Sequence, residues 1–187
     1  MEYGYIFDFD GVLVRTMEAH FQCYKQALAE VGVPIDKKQF FFLAGMTGRE
    51  HIKYFADKAG VKVDVDAVYQ KKRQIWDAGG APSAITAIEC NLKWLRMLRA
   101  NGVRVAIASG SSRPSILPAM NLHHIEVDAI VSAEDVSVGK PDPELFLRAA
   151  EWLGIKPENC IVVEDSDVGI ASAKAAGMKS LRFYDNA

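Results

Sequence analysis

Acidic residues stand in two close pairs, each at the end of a short apolar, β-favouring run, and these pairs are the first candidates for chemistry. Asp8 and Asp10 form one pair, and Glu164 and Asp165 form the other. Two neighbouring carboxylates repel each other unless a cation, a shared proton or solvent lies between them. A group of hard oxygen ligands suits Mg²⁺ far better than a soft metal. The sequence therefore predicts a magnesium site wherever the fold brings the two pairs together.

Two further groups could hold an anion beside these carboxylates. Ser109 and Gly110 begin a Ser/Gly-rich turn after a β-rich run, and such a turn offers hydroxyl and backbone N–H donors. Lys140 lies in a Gly-Lys-Pro loop, where its ammonium can neutralise charge on a phosphoryl group and on a nucleophile. Nucleophile, metal and fixed donors on the equatorial oxygens are what phosphoryl transfer requires.

The elements that must position these side chains alternate between strand and helix along most of the chain. The apolar runs end at Asp8, Ser109 and Glu164, and helical patterns cover residues 85–98, 143–153 and 168–176. Apolar strands alternating with helices predict a parallel sheet covered on both faces, with ligands bound beyond the carboxyl ends of its strands. We therefore predict an α/β fold with a three-layer, Rossmann-like parallel sheet core.

A helical insertion interrupts this alternation after the first strand. Its apolar residues recur at helical spacing, and glycines separate four predicted helices at 17–31, 37–43, 49–59 and 66–76. We predict two domains: residues 1–15 and 82–187 form the catalytic α/β core, and residues 16–81 form a helical-bundle cap.

Composition narrows the class of protein. The 187 residues are 50% hydrophobic and 25% charged, which is typical of a soluble globular protein. A net charge of −2 argues against a nucleic-acid or membrane-surface partner, and no apolar run approaches the roughly 20 residues of a membrane span. Three scattered cysteines without a Cys-x-x-Cys pair argue against disulfides or a thiolate zinc site. With no export signal, we expect a cytoplasmic protein.

Four stretches, in chain order, resemble the signatures of the haloacid dehalogenase-like superfamily. They are DFDGVL at 8–13, Ser109 after its β-rich run, GKPDP at 139–143 and VEDS at 163–166. A lone Asp-x-Asp would be weak evidence, but four ordered matches span the chain. The inserted helices are similar to the mobile cap of the phosphatase and β-phosphoglucomutase branch, which would exclude water and select the substrate.

The resemblance implies a role for each acidic residue. Asp8 would attack phosphorus and form an aspartyl phosphate. Asp10 would protonate the leaving group and then activate the acceptor. Mg²⁺ would be held by Asp8, by Asp165 and by the backbone carbonyl of Asp10, with Glu164 close by. Lys140 and the turn that begins at Ser109 would bind the phosphoryl group.

The resemblance also points to candidate substrate-binding residues away from the nucleophile. Arg49 and His51 follow glycines of the insertion, where related caps place substrate-reading groups. His20 is a candidate contact near the hinge of the cap. Arg113 follows the Ser-rich turn and could meet a second phosphate.

Three functions remain open at this stage. The first is a phosphatase for a small phosphorylated metabolite, and the second is a β-phosphoglucomutase-like phosphohexomutase that returns the phosphoryl group to a bound sugar phosphate. Ala44 and the Ser112-Arg113 pair stand where β-phosphoglucomutases usually carry a lysine and a lysine-asparagine pair, which favours the phosphatase. The third is a non-catalytic phosphate-binding protein of the same fold. The sequence leaves the oligomeric state open, with a monomer as our expectation.

Overall fold

The computed structural model describes residues 3–78 and 85–184, and a five-stranded parallel sheet lies at its centre. Its strands are β1 (Gly4–Phe7), β4 (Arg104–Ala108), β5 (Ala129–Val131), β6 (Cys160–Glu164) and β7 (Lys179–Arg182), in the spatial order β5-β4-β1-β6-β7. β1 pairs in parallel with both β4 and β6. The carboxyl ends of these three strands therefore meet at one edge of the sheet.

Helices cover both faces of the sheet, as the apolar runs predict. Phe7 and Ile107 face one apolar cluster with α5 (Glu89–Ala100) and α6 (Arg113–Leu122). Ile6 faces the opposite cluster with α7 (Glu144–Leu153) and α8 (Asp167–Ala175). Alternate residues of one strand thus serve opposite cores, because side chains alternate across a strand. The three-layer α/β prediction is confirmed.

The inserted helices form an apolar cluster of their own. They are α1 (Met17–Ala29), α2 (Lys37–Phe42), α3 (Gly48–Ala59) and α4 (Val65–Ala78), each within two or three residues of its predicted bounds. Phe21, Phe40 and Phe55 are buried among them. Part of α4 also packs on the sheet side, since Trp76 lies in the cluster that contains Phe7. The boundary predicted at 81/82 falls outside the described residues, and the division into two domains stays a prediction.

The helix predicted from residue 85 begins instead at Glu89, because the preceding residues form a strand. β2 (Val14–Arg15) pairs antiparallel with β3 (Thr86–Ala87), and Ile88 N donates to Leu13 O at 2.9 Å. This ribbon joins the two chain segments on either side of the insertion. Strands of two residues carry too little periodicity to be predicted from sequence.

Helix α6 was not predicted, and its sequence explains why. It contains Pro114 in its first turn and Pro118 in its interior, where a proline normally argues against a helix. Ile116, Ala119 and Met120 bury its inner face against the sheet, so tertiary packing outweighs the local preference. Among the described residues, no helix has the length and apolar character needed to cross a membrane.

The central strands should carry much of the stability. Ile107 on β4 has no exposed surface, so Ile107→Ala should lower the free energy of unfolding by about 2–5 kcal/mol in urea titration. Leu181→Ala is the matched control: Leu181 lies on edge strand β7 and is 47% exposed, so we expect a change within about 0.5 kcal/mol. Equal losses for both variants would contradict this account of the core.

Candidate functional site

The predicted site residues converge where β4, β1 and β6 end. Asp8 follows β1, and its backbone N–H donates to Val163 O of β6 at 2.9 Å. Ser109 follows β4, and Asp165 follows β6. Ser109 and Asp165 lie 101 and 157 residues after Asp8 in the chain. The order of the parallel strands makes all three residues neighbours.

A buried lysine lies between two carboxylates at this edge. Lys140 has no exposed surface, and its Nζ donates to Asp8 Oδ1 and Glu164 Oε1, each at 2.7 Å. Burial acts to lower the pKa of Lys140, but the two carboxylates outweigh it and hold that pKa above its ordinary value. Lys140 is therefore charged, and it keeps one of its three protons for a further acceptor.

Three carboxylates gather around that lysine. Oxygen atoms of Asp8, Glu164 and Asp165 all lie within 4.8 Å of one another. Burial raises the pKa of Asp8, and burial together with Glu164 raises the pKa of Asp165 to about 7. These shifts reflect the cost of burying negative charge and of crowding it, and a divalent cation would relieve both. The donor set of hard oxygens fits Mg²⁺.

The carboxylates of this cluster are not equivalent. Glu164 Oε2 accepts hydrogen bonds from the Ser166 N–H at 2.6 Å and the Ser166 hydroxyl at 2.9 Å, while Oε1 accepts from Lys140. Glu164 therefore orients Lys140 and Ser166. Asp165 is half-buried, and the loop at Gly11 approaches it so closely that a Cβ there would lie 2.3 Å from Asp165 Oδ2.

Asp10 is held by donors from three segments. Its Oδ2 accepts from the hydroxyls of Ser109 at 3.0 Å and Ser111 at 2.6 Å, and its Oδ1 accepts from Thr16. His20 Nε2 lies 3.3 Å from Oδ1. Burial acts to raise the pKa of Asp10, but these contacts outweigh it and hold that pKa well below its usual range. Asp10 is therefore kept ionised in this arrangement.

A buried lysine of α4 fixes the orientation of His20. Lys72 Nζ donates to His20 Nδ1 at 3.0 Å, and the ring stacks on Trp76 with a centroid distance of 4.1 Å. Burial and the Lys72 charge lower the pKa of His20, so its ring is neutral. Because Nδ1 accepts from Lys72, the ring proton sits on Nε2 and points to Asp10. Lys72 itself has its pKa lowered to about 8 by burial.

One cavity joins these groups to the inserted helices. Asp8, Asp10, Ser109 and Gly110 line its sheet side, and His20 lines the insertion side with a group of further residues. That group includes Met17, Tyr24, Phe40, Met46, His51, Tyr69 and Lys72. The cavity has a volume of about 40 Å³, enough for one or two water molecules, so a larger ligand enters only when the inserted helices move away from the sheet.

Two glycines let the insertion close tightly on the sheet. We call this contact the seam: Gly45, Met46, Thr47 and Glu50 against Gly110 and Gly139. A Cβ on Gly110 would lie 2.7 Å from the carbonyl oxygens of both Gly45 and Met46. Gly139 N donates to Glu50 Oε1 at 3.0 Å, while Glu50 Oε2 accepts from Thr47 N at 2.7 Å. Glu50 thus caps α3 and ties it to the loop that carries Lys140.

Two of the predicted substrate-binding residues lie away from the cavity lining. Arg49 is exposed, pairs with Asp66 at 2.7 Å and lies 4.4 Å from the centroid of the Tyr69 ring. Arg113 donates to Asp135 Oδ2 at 2.8 Å and to a backbone carbonyl. Both side chains are paired with other residues of the chain, and neither lines the cavity.

Sequence reasoning missed several residues that meet the site. Lys72, Ser111 and Thr16 all contact Asp10 or its neighbour His20. Lys72 carries the one available signal, since a lysine on the apolar face of an amphipathic helix is unusual. The serine and threonine carry no such signal, because hydroxyls at turns and helix starts are common.

The fold and the site together define an α/β enzyme with acidic residues and a lysine at neighbouring strand ends. Comparison with known proteins gives the same class of protein. A family model described as "Haloacid dehalogenase-like hydrolase" matches residues 5–183. The beta-phosphoglucomutase of Bacillus subtilis is 28% identical over 180 residues, covering 92% of this chain and 79% of the relative. The fructose-1-phosphate phosphatase YqaB of Escherichia coli is 28% identical over 184 residues, covering 95% and 94%.

Solved structures agree with this assignment. The beta-phosphoglucomutase of Clostridium difficile superposes with a TM-score of 0.86 at 26% identity, covering 97% of this chain and 84% of that one. The chain belongs to the haloacid dehalogenase-like hydrolase family, as an enzyme similar to its phosphatases and β-phosphoglucomutases. The resemblance inferred from the four signatures is thereby confirmed.

The seam predicts a sharp effect for a single methyl group. Gly110→Ala should hold the insertion away from the sheet, because the new Cβ meets two backbone carbonyls that cannot rotate aside. Hydrogen exchange should then speed up in peptides covering residues 44–50 and 109–113, with the strands of the sheet unaffected. Gly177→Ala is the control for backbone strain: its φ of 73° disfavours alanine, but its Cβ would meet nothing within 4 Å, so exchange at residues 44–50 should stay as in the parent. Unchanged exchange at 44–50 in Gly110→Ala would show that the seam does not depend on this glycine.

Proposed function

We propose that this protein is a Mg²⁺-dependent phosphatase that hydrolyses a small phosphorylated metabolite through an aspartyl phosphate on Asp8. The observation that carries the proposal is the meeting of Asp8, Asp10 and Ser109 on one cavity wall, with Lys140 bound to Asp8. The relatives named as phosphatases support the reaction class. The catalytic residues and the substrate class are those predicted from the sequence. The proposal also includes a cytoplasmic location and a role for the inserted helices as a cap.

In the proposed reaction, Asp8 attacks phosphorus while Lys140 offsets the charge of the carboxylate and donates its remaining proton to the phosphoryl oxygens. Asp10 protonates the leaving oxygen, which requires that its pKa rise when the negatively charged phosphoryl group arrives. Asp10 then takes a proton from water, which attacks the aspartyl phosphate and releases inorganic phosphate. His20 and the serine hydroxyls favour this second, ionised form of Asp10.

Asp8, Asp165 and the backbone carbonyl of Asp10 would hold Mg²⁺, with Glu164 orienting Lys140 and Ser166 beside them. The ion would supply charge neutralisation at the phosphoryl oxygens. Without it, burial and the neighbouring carboxylates raise the pKa of Asp8 and disfavour its ionised, nucleophilic form.

A phosphohexomutase is the second candidate. Lys72 brings a buried cation into the cavity wall, as a bisphosphate intermediate would require. Other contacts argue against it. Glu134 accepts the backbone N–H of Arg113 at the start of α6, and Asp135 pairs with the Arg113 guanidinium. Carboxylates therefore occupy the donors that a second phosphate would use there, and the phosphatase remains our proposal.

The deciding experiment is turnover with Mg²⁺ on a panel of hexose, hexitol and pentulose phosphates, with both anomers of glucose 1-phosphate and trace glucose 1,6-bisphosphate. Release of inorganic phosphate, abolished in Asp8→Asn, is the expected result. Conversion of β-glucose 1-phosphate to glucose 6-phosphate with little free phosphate would establish the mutase. No turnover at all, despite bound Mg²⁺, would favour a phosphate-binding protein.

Asp10→Asn should slow turnover by roughly 10²- to 10⁴-fold, because the amide can neither protonate the leaving oxygen nor activate water. The loss should be greatest for substrates with poor alkoxide leaving groups and smaller for p-nitrophenyl phosphate. Steady-state kcat on both substrates measures the difference, with circular dichroism as the control for folding. Equal rates for variant and parent on an alkyl phosphate would remove Asp10 from the acid role.

Mg²⁺ affinity should depend on pH. Burial and Glu164 raise the pKa of Asp165 to about 7, and Asp165 must lose its proton to bind the ion. At pH 6 about one-tenth of this carboxyl is ionised, so Mg²⁺ should bind about tenfold more weakly than at pH 8. Isothermal titration calorimetry checks the ratio, and Asp165→Asn should weaken the pH dependence, leaving the part that comes from Asp8, whose pKa burial also raises. Equal affinity at both pH values would contradict a ligand role for Asp165.

A further inference from the structure

Glu50 lies in the first turn of α3, and its two carboxylate oxygens hold different parts of the fold. Oε2 accepts from the backbone N–H and from the hydroxyl of Thr47, each at 2.7 Å. Oε1 accepts from the backbone N–H of Gly139 at 3.0 Å, across 89 positions of the chain. The contacts with Thr47 belong to the capping box of α3. The contact with Gly139 joins the insertion to the residue directly before Lys140.

The contact with Gly139 is separate from the capping of α3. Glu50 completes its part of the capping box through Oε2 alone, so Oε1 is available to a second donor. When the inserted helices lie away from the sheet, water can bind Oε1 and the Gly139 N–H separately. The hydrogen bond between them therefore stabilises only the closed arrangement, and its charged acceptor makes it stronger than a bond between neutral groups.

The loop that Glu50 holds fits against the insertion without spare room. A Cβ on Gly139 would lie 2.4 Å from Glu50 Oε2 and 2.9 Å from the backbone nitrogen of Thr47. Beside this contact, a Cβ on Gly45 would lie 2.9 Å from Lys140 Cδ. The insertion thus covers the side chain of Lys140 directly, and that side chain has no exposed surface.

We propose that Glu50 is a positioning residue that couples closure of the inserted helices to the placement of Lys140 beside Asp8. Closing the seam brings the Glu50 carboxylate to the Gly139 N–H and Gly45 onto the lysine side chain, so the cavity closes and the lysine is fixed in one event. This inference rests on the proposed phosphatase function, in which the inserted helices act as a cap. Glu50 does not line the cavity, so it acts through the loop and not on the substrate.

Three variants separate this contact from the capping of α3. Glu50→Ala removes both, Gly139→Ala obstructs the contact while keeping the capping box, and Thr47→Val removes the capping hydroxyl while keeping Glu50. Hydrogen exchange of the Gly139 amide, followed by NMR on ¹⁵N-glycine-labelled protein, reports the contact itself. Glu50→Ala should speed this exchange roughly 10- to 100-fold, because a hydrogen bond to a charged acceptor is lost. Thr47→Val should leave it within about threefold.

Two further signals report the coupling. With ¹⁵N-lysine labelling, the ammonium protons of Lys140 should exchange faster in Glu50→Ala by a factor similar to that of the Gly139 amide, because both become accessible when the seam opens. Exchange in the peptide covering residues 109–113, on the sheet side of the seam, should speed up in Glu50→Ala and in Gly139→Ala. Thr47→Val should leave this peptide as in the parent.

Unchanged exchange of the Gly139 amide in Glu50→Ala would show that the contact does not hold the loop. Faster exchange of that amide with an unchanged Lys140 ammonium would refute the coupling. Acceleration at 109–113 in Thr47→Val as large as in Glu50→Ala would mean that Glu50 acts only through the cap of α3, which also overturns the proposal. All of these measurements use the protein without substrate, so a failure of the phosphatase proposal, seen as absence of turnover, is distinguished from a failure of this one.

Discussion

The contact on which the rest of the site depends is the buried ammonium of Lys140 between Asp8 and Glu164. Two buried carboxylates and the half-buried Asp165 lie within 4.8 Å of one another, and Lys140 offsets part of their charge. Removing one partner from such a group typically costs about 3–5 kcal/mol, because it leaves an uncompensated charge. The charge of Lys140 therefore has a structural role, and the same charge is positioned for chemistry at Asp8.

Close backbone approach is the second constraint, and glycine meets it at particular points. A Cβ at Gly169 would lie 1.8 Å from Glu164 Oε1, so the start of α8 leaves the room that the Glu164 carboxylate occupies. Gly110 does the same for the seam, where backbone meets backbone. These glycines let the charged cluster and the closed cavity exist in the same small volume. The electrostatics of the site thus require a specific backbone path as well as specific charges.

The sequence predicted the sheet, and the position of Asp8, Ser109 and Glu164 at its carboxyl edge, because buried parallel strands are continuous apolar runs that end at these residues. Prediction from the sequence failed where the local residue pattern is too short to recognise or where proline argues against the structure that forms. The β2–β3 ribbon is too short to show alternation, and helix α6 contains prolines. The contact between Lys72 and His20 joins residues 52 positions apart, and no one-dimensional pattern records which helix faces meet.

The two ends of the cavity differ in charge, and that difference bears on the substrate. In the proposed reaction, Asp8 and Asp10 stand at one end beside Lys140 and meet the phosphoryl group once a cation offsets their charge. At the other end Lys72 is already bound to His20 and lies over the rings of Tyr24 and Trp76. The donors at the start of α6 are bound by Glu134 and Asp135. Under the proposed function, this arrangement suits a ligand with one phosphoryl end and one end that forms hydrogen bonds, as in a monophosphate ester of a polyol or sugar.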